Sequence, residues 1–261
     1  MRPTAVVILA AGKGVRMKSD LPKVCHILDG RPLIAHVLHH VREISPAQII
    51  VVIGHGAELV KKACEDRPSD RPSLDYVIQS ERLGTGHAVM QAVPALRPEI
   101  ENVLVVSGDV PLLSSESLKN LLTVHQSPHP GGRPAVTVLT AVVDPPGSYG
   151  RIVRGPGGDV LKIVENRDAS ADEKTIREVN TGTYVFHRNA LESALSQIRP
   201  LNAQSEYYLT DAVAILRSQN RPVAASILAD AREMSGINTP EGLAAVGQLY
   251  AQLKRASAVP S

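Results

Sequence analysis

The sequence predicts a Rossmann-like α/β fold, a mixed and mostly parallel sheet with helices on both faces and a small antiparallel insertion. Three observations predict it. Unbroken apolar runs recur at residues 4–9, 48–53 and 102–106, without the polar alternation of a strand that faces water on one side. Segments with apolar residues at helical spacing separate these runs, the alternation that builds parallel sheets. The 261 residues include no Trp and a single Phe, so Val, Leu, Ile and Ala must fill the core, a composition suited to parallel strands under helices.

The elements follow in order. After the strand at 4–9, Leu33, Val37, Leu38 and Val41 mark a helix, followed by a strand at 48–53 and a helix through 59–64. A strand at 74–79, a helix at 85–96 and a strand at 102–106 come next, and Ser114-Ser115-Glu116-Ser117 supplies capping residues for a further helix. The middle changes character. Residues 135–143 read as a strand, and segments 151–154 and 160–165 flank the turn Gly155-Pro-Gly-Gly158-Asp159 as a hairpin. Residues 178–187 return to strand, helices are expected at 191–198 and 206–219, and a short strand at 223–228. Thr239-Pro240-Glu241 then starts a helix whose Leu243, Val246, Leu249, Tyr250 and Leu253 keep helical spacing toward Pro260-Ser261.

Composition excludes several classes of function. A formal charge of +2 with both signs interspersed leaves no extended basic face for nucleic acid. No apolar run approaches the ~20 residues of a membrane span, and Met1-Arg2-Pro3 leads straight into the first strand, so a soluble, untargeted protein is expected. Two cysteines, Cys25 and Cys64, fit neither a disulfide framework nor a zinc site, and free thiols in a reducing cytoplasm are expected. The sequence has no internal repeat, so no solenoid is expected.

The strongest chemical signal follows the first strand. In Leu9-Ala10-Ala11-Gly12-Lys13-Gly14-Val15-Arg16, small residues and two glycines let backbone NH groups approach a polyphosphate. Arg16 and the lysine of Leu21-Pro22-Lys23 supply opposing charge. The run is not a Walker A loop, because no Ser or Thr follows Lys13, and it lacks the third glycine of the dinucleotide fingerprint.

Further motifs cluster at strand ends. Asp109, in Ser107-Gly108-Asp109-Val110-Pro111, projects from the same sheet edge and suits a magnesium ligand, though a turn carboxylate reads the same way. Gln79 and Gly84-Thr85-Gly86-His87 form a second glycine turn that reads a base or an anion, or is a plain strand-to-helix turn. Tyr149-Gly150-Arg151-Ile152, Glu165 and Asn180-Thr181-Gly182 supply polar groups and backbone in the inserted half, a wall suited to sugar hydroxyls. His36, His39 and His40 share a helix with no accompanying acid or cysteine cluster, so packing is expected there rather than a metal site. In Glu206-Tyr207-Tyr208-Leu209-Thr210-Asp211 the aromatic pair either closes over a ligand or packs beside a cap.

Taken in order, these motifs resemble the sugar-1-phosphate nucleotidyltransferases, and more closely the uridylyltransferase domain of the bacterial N-acetylglucosamine-1-phosphate uridylyltransferases. The resemblance rests on the opening loop, Leu83-Gly84-Thr85-Gly86-His87-Ala88, Gly108-Asp109-Val110-Pro111-Leu112, Tyr149-Gly150-Arg151-Ile152, Asn180-Thr181-Gly182 and Glu206-Tyr207-Tyr208-Leu209-Thr210-Asp211. It runs from about Thr4 to Asn238, which implies a nucleotidyltransferase domain over residues 1–239 and a C-terminal helical stub over 240–261.

The resemblance implies a nucleotide-diphospho-sugar transferase fold and roles for individual residues. Leu9, Ala10, Ala11 and Gly12 would line the nucleotide, Gly14 and Arg16 belong to the phosphate loop, and Lys23 holds phosphate oxygens. Gln79, Gly84 and Thr85 would face the uracil, and Gly150, Glu165 and Asn180 the sugar or ribose hydroxyls. Asp109 and Asn238 would hold Mg2+, with Arg16, Lys23 and Asp109 as the catalytic set and Ser107 and Gly108 as binding backbone. Ser107 stands where the family often carries an aromatic residue.

The implied reaction joins UTP and N-acetylglucosamine 1-phosphate to give UDP-N-acetylglucosamine and pyrophosphate. Another sugar 1-phosphate, dTTP in place of UTP, or a catalytically silent nucleotide-sugar-binding module are the alternatives. Members of the family usually continue into a left-handed β-helix that carries acetyltransferase activity and trimerises. The expectation for these 261 residues is that acetyl transfer and the usual trimer contacts are missing.

Overall fold

The computed structural model describes residues 2–65, 73–129 and 131–257. The first strand, β1 (Thr4–Leu9), leads into a glycine loop and the short hairpin β2 (Ile27–Leu28) and β3 (Arg31–Pro32). Then come α1 (Leu33–Glu43), β4 (Gln48–Ile53), α2 (Ala57–Cys64), β5 (Leu74–Ile78), α3 (Thr85–Ala92), β6 (Asn102–Ser107) and α4 (Ser115–Gln126). The second half holds β7 (Val136–Val142), β8 (Arg151–Arg154), β9 (Val160–Val164), α5 (Ala171–Lys174) and β10 (Glu178–His187). It ends with α6 (Arg188–Leu195), α7 (Asp211–Ser218), β11 (Val223–Ile227) and α8 (Pro240–Ser257).

Among the described residues nine strands join one sheet, in the order β11-β7-β10-β6-β1-β4-β5, with β8 and β9 extending from β10. The pairs β1/β4, β1/β6, β4/β5 and β7/β11 are parallel, whereas β10 runs antiparallel to both β6 and β7. The expected mixed sheet and its antiparallel β8/β9 hairpin are both present.

Each central strand is buried on both sides because its alternate residues meet two separate layers. Ala5 and Val7 of β1 pack with α3, α6 and α7 through Val89, Leu191 and Val213, while Val6 and Ile8 pack with α1, α2 and α4 through Leu38, Val60 and Leu121. Burying a Val, Leu or Ile side chain contributes about 1.5 to 3 kcal/mol, which is why an unbroken apolar run commits to this position. A further cluster lies beneath α8, where Met17, Leu28, Leu33, Leu112 and Ile237 meet Val246. No helix among the described residues is long and apolar enough to cross a membrane. Cys25 and Cys64 are free and buried.

Boundaries differ from the sequence reading where tertiary contacts use the backbone. The helix expected over 206–219 forms only at Asp211–Ser218. Upstream, the Tyr207 amide donates to Leu83 O (2.7 Å), the Gly86 amide donates to Tyr207 O (2.7 Å), and the Leu209 amide donates to Thr85 Oγ1 (3.2 Å). Those groups serve another loop and are lost to a helical ladder. The helix expected over 85–96 changes at Val93–Ala95 into a 3-10 turn containing Pro94, which has no amide hydrogen to donate. The helix expected over 191–198 begins earlier, at Arg188, and ends at Leu195. Ser114 caps α4 by accepting the Ser117 amide at 3.1 Å, as its sequence suggests. Thr239 Oγ1 accepts the Gly242 amide at the start of α8, and the Pro260-Ser261 end lies outside the described residues.

Candidate active site

The parallel strands end at one sheet edge, and their loops enclose two adjoining cavities, as doubly wound sheets favour. The first, about 340 Å³, is lined by Leu9, Ala10, Ala11, Gly12, Lys23, Gln79, Gly84, Thr85, Ser107 and Asp109 from the expected set. The second, about 280 Å³, is lined by Arg16, Gly150, Glu165, Asn180 and Asn238, and again by Leu9, Thr85 and Ser107. Those three shared residues form the junction. Ser107, at the end of β6, therefore lies where two ligands would meet.

Gly14 and Gly108 line neither cavity and act through the backbone. Gly14 has φ +66°, and a Cβ there would sit 2.7 Å from the Cβ of Lys23, so glycine is what lets the Lys23 segment close against the loop. Gly108 continues the β1/β6 pairing by donating its amide to Leu9 O at 3.0 Å.

At the junction two oxygen donors converge on one cation. Lys23 Nζ donates to Asp109 Oδ2 in an ion pair and to Asn238 Oδ1 at 3.0 Å, and Arg16 Nη2 reaches the same Asn238 oxygen at 2.9 Å. Asn238 arrives there because the Ile237 amide donates to Asp109 O at 3.0 Å and the Ile237 side chain is fully buried beneath α8. Asp109 Oδ2 and Asn238 Oδ1 are the two hard oxygen ligands that could hold a divalent cation, and the Lys23 ammonium between them shows that the pocket accommodates positive charge. Asp109, Asn238, Lys23 and Arg16 thus meet in one cluster.

The wall of the second cavity is built differently. Thr210 Oγ1 donates to Glu165 Oε1 at 3.3 Å, and burial pushes the Glu165 carboxyl above its ordinary range, with Asp168, Asp211 and Glu206 adding to the rise. Asn180 Nδ2 donates to Tyr184 Oη at 2.7 Å while its Oδ1 accepts the Gly182 amide at 3.1 Å, across a register shift in β10.

Arg151 anchors this wall from behind. It is 2% exposed, and its guanidinium donates to the carbonyls of Tyr149 and Gly147 (2.9 Å) and to Asn166 Oδ1 (3.2 Å). Gly150 is held from the other side, its carbonyl accepting the Asn180 amide at 2.9 Å.

Several contributors were not singled out as ligand contacts in the sequence. Arg82 and Glu206 line the first cavity and Tyr184 and Thr210 the second, beside Tyr149 of the expected wall segment. Thr210 and Glu206 sit inside a motif that was visible, but Tyr184 is signalled only by its position four residues beyond Asn180. The tyrosine pair of that motif lines neither cavity: Tyr208 is buried, and Tyr207 ties its backbone to the Gly84-Thr85-Gly86 turn. Gly84 has φ +103°, and a Cβ there would lie 2.6 Å from Tyr207 O, so the two motifs require each other.

The histidine expectation needs one correction. His39 and His40 are accompanied by an acid, because Glu43 follows His39 by one helical turn and approaches its Nε2 at 3.4 Å, the three residues bringing ligand atoms within 4.8 Å of one another. His36 takes no part, its Nε2 lying 2.8 Å from Leu28 O.

A glycine loop at a strand end and a carboxylate beside a lysine, both opening on adjoining cavities, define a nucleotide-binding transferase domain. The chain belongs to the MobA-like NTP transferase domain family, whose model matches residues 6–142. It is 50% identical over 244 residues to the bifunctional protein GlmU of Heliobacterium modesticaldum, covering 94% of this chain and 51% of that protein. The corresponding protein of Streptococcus mutans is 48% identical over 238 residues, covering 91% of this chain and 50% of its own length. The chain therefore spans about half the length of these relatives. Among solved structures, a UDP-glucose pyrophosphorylase complexed with UDP-glucose shares the fold with a TM-score of 0.70 at 18% identity, covering 97% of this chain and 99% of that one. HddC from Yersinia pseudotuberculosis complexed with GMP-PN gives 0.67 at 20% identity, covering 94% and 99%.

Proposed function

We propose that this chain is a uridylyltransferase that converts UTP and N-acetylglucosamine 1-phosphate into UDP-N-acetylglucosamine and pyrophosphate. The observation that carries the reading is the meeting of Arg16, Lys23, Asp109 and Asn238 between two adjoining cavities, one lined by the glycine loop and charged side chains and the other by short polar side chains. Its relatives named GlmU support the choice of nucleotide and sugar.

The chemistry needs no protein nucleophile. An oxygen of the sugar phosphate attacks the α-phosphorus of UTP, the new P–O bond forms as the bond to the β-phosphate oxygen breaks, and pyrophosphate leaves. Both reactants are anions, so the main task is to align them against mutual repulsion. Lys23 and Arg16 supply opposing charge, and the loop from Leu9 to Gly12 lets backbone donors approach the phosphates. Glu165 and Asn180 accept from and donate to sugar hydroxyls, which orients the attacking phosphate. Asp109 and Asn238 would hold Mg2+, which when bound neutralises phosphate charge.

Residues 1–239 carry this activity in our reading, and 240–261 are a C-terminal extension whose described part, α8, packs on the phosphate side. Two buried free thiols, pushed up to about 11 for Cys25 and about 12 for Cys64 by burial, suit a reducing compartment such as the cytoplasm. The test is pyrophosphate release across UTP, dTTP, CTP and GTP with N-acetylglucosamine 1-phosphate and glucose 1-phosphate, with and without chelator. Activity confined to UTP and N-acetylglucosamine 1-phosphate, abolished by chelator, is expected. Preference for glucose 1-phosphate would move the sugar assignment, and absence of turnover with every pair would overturn the reading.

A further inference from the structure

The last turn of α1 gathers three metal-ligating side chains that line neither cavity. His39, His40 and Glu43 bring ligand atoms within 4.8 Å of one another, and His39 Nε2 lies 3.4 Å from Glu43 Oε1. A helix turns about 100° per residue, so Glu43 falls between the two histidines on its surface, about 40° from His39 and about 60° from His40. It can face both. The two pairs have the i,i+4 and i,i+3 spacings at which helical side chains meet.

The distances suit a shared ion better than a direct contact. A charge-assisted hydrogen bond would bring the nitrogen and oxygen to about 2.7 to 2.9 Å, and 3.4 Å is too long for one. Metal bonds of about 2.1 Å at the tetrahedral angle place two ligand atoms about 3.4 Å apart, the separation this pair already has. The ring centroids of His39 and His40 are 5.2 Å apart, about what two imidazoles on one tetrahedral ion require.

The surroundings favour a cation. The cluster stands at the carbonyl end of α1, where the helix dipole leaves partial negative charge. The Ser115 hydroxyl at the start of α4 donates to Glu43 and holds its carboxyl below the ordinary range, so the acid is ionised and oriented. Burial pushes His40 down to about 4, which keeps its ring neutral at pH 7 with a lone pair for a metal.

We propose that His39, His40 and Glu43 bind one divalent transition-metal ion of the Zn2+ class, at a site separate from Asp109 and Asn238. Two imidazoles and a carboxylate select such an ion over Mg2+, which takes oxygen ligands and keeps its water. Three protein ligands leave the fourth position to water. Because Glu43 is also held by Ser115, the bound ion ties the end of α1 to the start of α4. The site is independent of the nucleotide assignment.

The test is calorimetric Zn2+ binding to the whole chain stripped of metal, with Mg2+ in excess to occupy oxygen sites. One Zn2+ per chain should bind with a dissociation constant of about 10 μM, and the thermal melt should rise. Loss of a ligand should weaken binding by roughly tenfold or more, in His39→Ala and Glu43→Gln at exposed positions and in His40→Gln. The melts of the metal-free variants should match that of the unchanged chain. Binding weaker than about 1 mM overturns the proposal. So does full affinity in any of the three variants, which would place the ion elsewhere or remove one ligand from the set. Should His40→Gln fail to fold, the visible absorption of Co2+ bound to the unchanged chain decides: an intense tetrahedral band supports the three-ligand site, and a weak octahedral one overturns it.

Discussion

The two cavities are walled by different means. Around the first cavity the chain offers small residues and backbone, Leu9 to Gly12 and Gly84, together with Lys23, which meets Arg16 of the second cavity at Asn238. On the sugar side it offers short side chains that are themselves held: Glu165 by Thr210, Asn180 by Tyr184, and the Gly147 to Gly150 loop by buried Arg151. The contrast suits the ligands proposed above. A polyphosphate is recognised chiefly by charge, which long cationic side chains supply, whereas a sugar is recognised by hydroxyl positions that need donors and acceptors fixed beforehand.

If that contrast is right, substitutions in the phosphate wall should damage turnover and those in the sugar wall should damage affinity for the sugar. The largest effect is expected for Asp109→Asn, which removes the charge that pairs Lys23 and, in the proposed function, would hold Mg2+: kcat should drop by about a thousandfold with the thermal melt unchanged. Near-normal pyrophosphate release would remove Asp109 from the metal and charge set. Next comes Lys23→Ala, for which kcat at saturating substrates should fall roughly a hundredfold. An unchanged kcat with a raised KM for UTP would make Lys23 a binding residue only.

Glu165→Gln should raise the KM for the sugar phosphate by about tenfold and leave that for UTP alone. Its pH behaviour sharpens the point. Burial holds the Glu165 carboxyl above its ordinary range, so ionising it costs the folded state, and that cost appears as pH rises from the unfolded carboxyl range through the raised value. The glutamine variant escapes the cost. In urea denaturation it should be at least as stable as the unchanged chain at pH 7, with the difference shrinking toward pH 4. Lower stability of the variant at pH 7 would show that Glu165 serves the fold rather than the ligand.

The smallest effect is expected for Arg151→Met, which removes the guanidinium behind Gly147 and Tyr149 and touches no ligand itself. The KM for sugar phosphate should rise about fivefold while kcat and the KM for UTP stay near their original values. Equal loss in all three would mean that the two walls do not act separately.

Much of this was legible. β1, β4 and β10 run over the residues their apolar pattern marks, and Lys23 and Asp109 stood out near glycine turns at strand ends, one as a cation for phosphate and the other as a metal ligand, though not as each other's partner. Asn238 was not, because nothing in Gly236-Ile237-Asn238 reads as a ligand; only the resemblance pointed to it. The helix expected from Glu206 failed for a related reason: its first residues carry a helical pattern, but their amides and carbonyls are taken by a turn far back in the chain. Glu43 could have been found beside His39 from the one-turn spacing alone.

By itself the sequence determined most of the elements, their layering and the glycine turns and charged residues that stand at the strand ends. Apolar periodicity and glycine turns are relations between residues close along the chain, so they are complete in the sequence. The tertiary structure decided which loops face each other: Lys23 and Asn238 meet across 215 positions, and Thr85 and Leu209 across 124. Such partners have no local signature, because their contact is fixed by how the helices and strands between them pack and by backbone groups that must find a partner once water is excluded.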